Sequence, residues 1–349
     1  MAAGHLRKAA VSVNHRAMRA PSILLAAGLF LTGASAGASP LLLVEASSGN
    51  VLAAQEATRS WHPASLTKLM TAHLALMAVQ SGRLSMDTSV PLSAWAVSQA
   101  PSKLGVPEGT SLRLEDALLV MMVKSANDVA VAVAEAVGGS EASFVAAMNA
   151  EAARLGMSGT RFVNANGLHD DRQVTNARDM AVLMLAVLSH HSAHTDLFRT
   201  PSVTVNGRTL KNTNKLIENY AALEATKTGY VCASGFNVVT SAVRGGRRVI
   251  AVVLGSPNAA MRTRTTKELL DAGLSQATPP IGNLSLLRAN VPSPGAAICG
   301  ASNAAGRDLQ RQEPSSLAVM PSVRASRNAA TSDQATCCSR GRMRARIAP

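Results

Sequence analysis

Near residue 200 the spacing of apolar side chains changes from a helical period of about 3.6 to a strand period of about 2, and that switch restricts the fold more than any other feature. Before it, Leu66, Leu69, Met70, His73, Leu74 and Met77 recur at three and four until Ser81-Gly82 stops the pattern. Further helices are predicted over Leu114–Val123, from there to Val137 ahead of Gly138-Gly139, over Glu141–Leu155, and over Arg178–Leu188. After the switch, Val203 and Val205 lead through Asn206-Gly207 to Thr209, a tight hairpin. Lys227–Val231, Asn237–Val243 and Arg248–Leu254 read as strands, the last two joined by Arg244-Gly245-Gly246-Arg247 and therefore antiparallel neighbours. Arg262–Leu274 is a closing helix, and Leu41–Glu45 with Val51–Ala54 forms an opening hairpin across Ser47-Ser48-Gly49-Asn50. Hairpin, helical block, strand meander and final helix imply an α/β chain of the α+β type. It should hold an antiparallel sheet of about five strands with helices on both sides.

The chain of 349 residues carries a net charge of +13, a balance that raises nucleic acid or an anionic membrane as partner. The charge lies at the ends. Arg7, Lys8, Arg16 and Arg19 stand without an acid in the first 20 residues, and residues 275–349 hold nine arginines against Asp308, Glu313 and Asp333. What remains between them is close to neutral, and aromatics are only 3% of the chain, so no nucleic-acid partner is expected. The N-terminal basic stretch precedes an apolar run, Ile23–Leu31, and the small residues Ala34-Ser35-Ala36. That order describes a secretory signal peptide over residues 1–36, and hence an exported, periplasmic or extracytoplasmic protein. Residues 37–275 are then the folded domain. Residues 276–349, rich in Pro, Ser, Ala and Arg, read as a basic disordered tail able to make weak contact with an anionic membrane surface.

Cys232 is the only thiol between those ends; Cys299, Cys337 and Cys338 lie in the tail. The fold does not rest on disulfides, and the spacings fit no zinc site. The run His190-His191-Ser192-Ala193-His194 reads as a solvated loop, and Cys232 as a small buried filler. No metal and no cofactor are expected.

Three short motifs carry chemistry. In Ser65-Leu66-Thr67-Lys68, opening a helix at Ser65 puts Lys68 one turn along the same face, where amine and hydroxyl share a hydrogen bond. Serine needs an adjacent base, and lysine serves as one only if burial or another cation destabilises its ammonium. Ser125-Ala126-Asn127 falls where one apolar helix breaks and the next begins, exposing a hydroxyl and an amide. Lys227-Thr228-Gly229 opens a strand, with Gly229 permitting close backbone approach. Chance alone supplies Ser-x-x-Lys about once in a chain this long and Lys-Thr-Gly about 0.1 times. Ser-x-Asn by itself carries nothing, since it recurs at Ser12, Ser48 and Ser256. The order of all three is what counts, and it is a known association in β-lactamases and penicillin-binding proteins.

The stretch His62-Pro63-Ala64-Ser65-Leu66-Thr67-Lys68-Leu69-Met70-Thr71 resembles the low-molecular-weight penicillin-binding proteins, serine-type D-alanyl-D-alanine carboxypeptidases of the peptidase S11 family. So do Phe162–Leu168, Thr175–Met180, Asn212–Leu216, Thr226–Tyr230 and Ser234–Asn237, and the likeness spans about residues 40–275. The resemblance implies a penicillin-binding-protein or β-lactamase-like fold and an acyl-enzyme on Ser65 with Lys68 as base. It further implies Ser125 as proton relay, Asn127 as orienter of Lys68 and substrate, and Lys227 and Thr228 as holders of a terminal carboxylate. Gly229 and Tyr230 would line the site, the backbone N–H groups of Ser65 and Tyr230 forming the oxyanion hole. The implied substrate is the peptidoglycan stem peptide, and β-lactams are implied inhibitors. A class A β-lactamase is the near rival, but no Glu is followed three residues later by Asn. A DD-endopeptidase would use the same chemistry, and a non-catalytic wall-binding or β-lactam-sensing protein would lack a catalytic residue, whereas all are present.

Overall fold

The strand Leu41–Glu45 (β1) shows why helices are needed on two sides: Leu42 and Val44 enter one apolar core and Leu43 another, as the pleat demands. The computed structural model describes residues 39–275 and 277–288, with backbone alone at 343–344 and 347–348. β1 turns through Gly49 into Asn50–Gln55 (β2). A 3-10 turn over Ala64–Thr67 runs directly into Lys68–Gln80 (α1). Ser89–Pro91 (β3) and Ser111–Arg113 (β4) pair around the short helix Ala94–Ser98 (α2). Leu114–Val123 (α3), Asn127–Gly138 (α4), Glu141–Arg154 (α5) and Ala177–His190 (α6) complete the helical block.

The second half opens with the hairpin Ser202–Val205 (β5) and Arg208–Lys211 (β6). Its turn residues Asn206 (φ 49°) and Gly207 (φ 74°) are both left-handed, which a two-residue hairpin of this twist requires. The one-turn helix Leu216–Asn219 (α7) precedes the meander Leu223–Val231 (β7), Gly235–Arg244 (β8) and Arg247–Ser256 (β9). Ala259–Leu274 (α8) and Gly282–Asn283 (β10) follow. Side-chain caps start the helices where the sequence offers them: Ser140 for α5, Asn176 for α6 and Asn258 for α8 each accept a backbone N–H.

The main sheet is antiparallel in the order β10-β2-β1-β9-β8-β7. On one face Leu270 and Leu274 of α8 pack on Leu43, Ala242, Val249 and Ala251. On the other, Leu42, Ile250, Val252 and Leu254 meet the helical block, in which α4 is buried from Asn127 to Ala134.

Two expectations change. The sheet has six strands rather than about five, and the sixth comes from the segment read as disordered tail. Ile281 N–H donates to Val51 and Leu284 N–H to Gly49, while the Leu284 side chain is buried in the main core. The ordered domain therefore continues past 275, because the apolar patch at 284–287 covers the β2 edge. Two short strands near the C-terminus, Met343–Arg344 (β11) and Ile347–Ala348 (β12), pair with β5 and β4. The expected signal peptide and the rest of the tail lie outside the described residues.

Candidate active site

Ser65 sits in the 3-10 turn that starts α1, and the backbone reaches it through Ala64 at φ 48°, a conformation costly for a residue with a Cβ. Two glycines make room for that turn. A Cβ on Gly167 (φ 86°) would lie 2.0 Å from the Ala64 carbonyl oxygen, and one on Gly229 would lie 3.0 Å from both Ser65 N and Pro63 O. Strand β7 thus runs close beside the Ser65 amide, an approach that a Cβ at 229 would crowd. Tyr230, next along β7, is exposed and stacks obliquely on Phe236, ring centroids 4.3 Å apart.

One turn on, Lys68 is fully buried. Its Nζ contacts Ser65 Oγ at 3.0 Å, Asn127 Oδ1 at 2.7 Å and the Asn166 carbonyl. The Asn127 amide is oriented by Nδ2 donating to Ala100 O at 2.8 Å, so the atom facing Lys68 is an acceptor. Two pure acceptors consume both N–H groups of a neutral amine and leave its lone pair for the third direction, the Ser65 hydroxyl. Burial first and the Lys227 charge second push the Lys68 pKa well below the usual lysine range, against a weaker upward pull from Asp128. The Asp128 carboxylate is occupied by the N–H groups of Leu104 and Gly105.

Ser125 takes φ 60° at the break between α3 and α4, and its Oγ accepts from Lys227 Nζ at 2.9 Å. Lys227 also donates to the Thr228 carbonyl at 2.9 Å, and the Thr228 hydroxyl meets that of Thr213 at 2.9 Å. Burial and then the Arg262 guanidinium hold the Lys227 pKa down at about 7. All the predicted residues, Ser65, Lys68, Ser125, Asn127, Lys227, Thr228, Gly229 and Tyr230, come together in one cleft between the α3–α4 break and β7.

With that geometry in hand, comparison with known proteins is decisive. The sequence profile of peptidase S11, described as D-alanyl-D-alanine carboxypeptidase, matches residues 32–258. The chain belongs to the peptidase S11 family. It is 34% identical over 239 residues to the D-alanyl-D-alanine carboxypeptidase DacD of Salmonella typhimurium, covering 66% of this chain and 61% of that one. The chain thus spans less than two thirds of that relative's length. Among solved structures it resembles penicillin-binding protein 6B of Escherichia coli (33% identity, TM-score 0.65, covering 68% and 77% of the two chains). It also resembles penicillin-binding protein D2 of Listeria monocytogenes in its ampicillin-bound form (32%, TM-score 0.60, 67% and 96%). The S11 fold, a mixed α/β architecture of the penicillin-binding-protein type, is that of this domain.

Two groups that act on the site lysines escape a reading of motifs. The Asn166 carbonyl is a backbone atom, invisible to side-chain patterns. Arg262, on the first turn of α8, is 6% exposed and forms no ion pair with any described residue; burial lowers its pKa to about 10. Asn214 takes the scaffolding role: it is buried, donates to Thr226 Oγ1 at 2.7 Å and accepts from Leu216 N.

Two sequence expectations are corrected. Cys232 is exposed at the β7–β8 turn rather than buried, because Ala233 takes the inward place. His191 is buried rather than solvated: its Nε2 lies 2.8 Å from His73 Nδ1, and His73 Nε2 lies 2.9 Å from Glu151, which Arg154 clasps with two bonds. The carboxylate only accepts, so His73 Nε2 carries hydrogen, and neutral His73 accepts from His191 Nε2–H. This relay ties α5, α1 and α6 together.

Proposed function

We propose that the protein is a serine DD-carboxypeptidase that removes the terminal D-alanine from peptidoglycan stem pentapeptides. The single observation that carries this reading is the Lys68 amine, buried, below the usual lysine range, and left by two acceptors with its lone pair toward Ser65. Ser65 Oγ attacks the carbonyl carbon of the D-Ala-D-Ala peptide bond as its proton passes to Lys68 Nζ. The backbone N–H groups of Ser65 and Tyr230 hold the oxyanion. Collapse expels D-alanine, whose amine takes a proton delivered through Ser125. Lys227, the Thr228 hydroxyl and Arg262, which has no ion-pair partner among the described residues, hold the terminal carboxylate, and Asn127 positions both Lys68 and the substrate amide. Water then hydrolyses the ester.

β-Lactams would acylate the same oxygen. Among the described residues no carboxylate bonds to Ser65 or Lys68, which favours a long-lived adduct over rapid penicillin hydrolysis. Export through residues 1–36 would place the reaction in the periplasm or its equivalent, with the basic C-terminal segment drawn weakly to the anionic membrane surface.

The test uses the mature protein and a pentapeptide ending in D-Ala-D-Ala. Wild type releases D-alanine and Ser65→Ala does not; equal release from both sinks the reading. Mass spectrometry after fluorescent penicillin labelling should place a persistent adduct on Ser65, whereas rapid turnover of the adduct would mark a β-lactamase. Cleavage of cross-linked dimers in preference to pentapeptide would mark an endopeptidase.

A further inference from the structure

We propose that His62, His169 and Asp171 bind one divalent transition-metal ion of the zinc class beside the cleft. One ring nitrogen of each histidine and a carboxylate oxygen of Asp171 lie within 4.8 Å of one another. The two rings meet edge-on with centroids 5.0 Å apart, and His169 Nε2 is 3.3 Å from Asp171 Oδ1.

What sets this cluster apart from a chance meeting of polar side chains is the state of His62. It is 4% exposed, and its Nδ1 lies 3.1 Å from the Gln173 carbonyl oxygen. A carbonyl can only accept, so Nδ1 carries the hydrogen and Nε2 keeps its lone pair. Metal-binding histidines are oriented in this way, the second ring nitrogen donating to a carbonyl or carboxylate. The backbone beneath is fixed. Trp61 and Thr175 exchange N–H···O bonds of 2.7 and 2.8 Å, and the His62 carbonyl accepts from Asn237 Nδ2 at 2.9 Å.

The other two ligands are exposed and sit on the turn that returns from Gly167 toward Gln173. Asp170 between them is engaged by Arg172 through both oxygens and stays out of the cluster. Bond lengths of about 2.0–2.2 Å require the three ligand atoms to draw closer together, and rotation of the two exposed side chains supplies that movement. Two imidazoles and one carboxylate suit zinc, nickel or copper rather than the oxygen-preferring magnesium or calcium, and three protein ligands leave one position for water. The spacings considered in the sequence could not show this set, since its members lie on two segments about a hundred residues apart, brought together by contacts such as the Trp61–Thr175 bridge.

Occupancy would join two pieces of chain that both serve the nucleophile. His62 leads into the Ser65 turn, and the 166–171 segment carries the Asn166 carbonyl on Lys68 and the Gly167 packed on Ala64. A metal bridge would therefore fasten that packing.

The experiment uses the mature full-length protein, its cysteines alkylated so that no thiolate competes, stripped with chelator and titrated with zinc and cobalt(II). Expected are one equivalent bound, a cobalt spectrum of nitrogen and oxygen ligation, and a rise in melting temperature on zinc addition. His169→Ala and Asp171→Ala should each weaken binding at least about tenfold and abolish the melting shift. Both side chains are exposed, so the variants should fold, and equal penicillin labelling of Ser65 verifies it. No binding by wild type, or wild-type affinity in both variants, overturns the proposal. Neither result bears on whether Ser65 is the nucleophile.

Discussion

Lys227 offers the sharpest test of the charge crowding in the cleft. It is buried, and burial together with Arg262 brings its pKa from 10.5 to about 7. Below about pH 7 both the folded and the unfolded chain carry the proton, and the cost of the buried ammonium is fully present: about 3.5 pH units, or about 5 kcal/mol. Between about pH 7 and 10 the unfolded chain keeps a proton that the folded one has released. Stability contributed at this site then rises with pH, by about 1.4 kcal/mol per unit.

Lys227→Met keeps the stem and removes the titration. It also leaves Ser125 Oγ and the Thr228 carbonyl without their donor, a loss of about 1–3 kcal/mol for each group. The absolute stability difference mixes these terms, but its slope with pH does not. Urea denaturation should show wild type gaining about 3 kcal/mol on the variant between about pH 7 and pH 9, with little relative change at lower pH. Lys68 also titrates, and loss of the Lys227 charge moves its pKa upward in the variant. That change adds to the relative gain of wild type. A difference constant across the window would refute the argument and, with it, the claim that Lys227 helps to keep Lys68 neutral.

Other expectations follow from single contacts. Gly167→Ala should destabilise by at least about 3 kcal/mol in thermal melts, because its Cβ would lie within van der Waals contact of the Ala64 carbonyl at a left-handed φ; a wild-type melt would contradict the geometry. Gly229→Ala, with 3.0 Å contacts to Pro63 O and Ser65 N, should fold yet acylate more slowly with penicillin. Arg262→Gln removes a charge that lowers the Lys227 pKa, so the alkaline limb of the acylation profile should move to higher pH as overall acylation weakens; an unmoved limb would exclude that coupling. His191 is held neutral with a pKa of about 3, first by burial and then by the neighbouring His73. Because the unfolded imidazole protonates near 6.5, stability should fall by about 1.4 kcal/mol per unit as pH drops from about 6.5 toward 3, and His191→Gln should flatten that fall in urea denaturation.

Much of this is legible in the chain because it is local. Ser65 and Lys68 share a face by helical spacing, and Asn206-Gly207 specifies its turn by conformational preference alone. The three meander strands are legible as short apolar and β-branched runs bounded by turn residues, although β7 begins at Leu223, four residues before the expected Lys227. What escapes is non-local. Arg262 stands on a helix with Arg264, Lys267 and Glu268, a composition that reads as solvated; its burial follows from the packing of α8 on the sheet. His191 sits in a polar run and is buried only because α6 lies against His73 on α1. The Asn166 carbonyl leaves no trace in side-chain pattern, and Leu284 belongs to the core only because β2 has an edge to cover.

The two lysines pose a problem that the site resolves by unequal neighbours. One must be neutral to act as the proposed base, the other positive to hold a carboxylate, yet both are buried in the same cleft. Environments that push paired groups apart assign their roles. Lys68 is pushed well below the usual lysine range, by burial first and by the Lys227 charge second, while its partners are two neutral acceptors and a hydroxyl. Lys227, lowered to about 7 by burial and Arg262, is poised near half-protonation at neutral pH. In the proposed mechanism an arriving carboxylate would raise the Lys227 pKa, so that the ligand completes the charge that binds it. The newly fixed Lys227 charge in turn holds Lys68 neutral at the moment the Ser65 proton must leave. In that mechanism Arg262 would have two effects: it would supply positive potential for the anion, and, by lowering the Lys227 pKa, it would keep Lys227 from being fully charged until the anion is present.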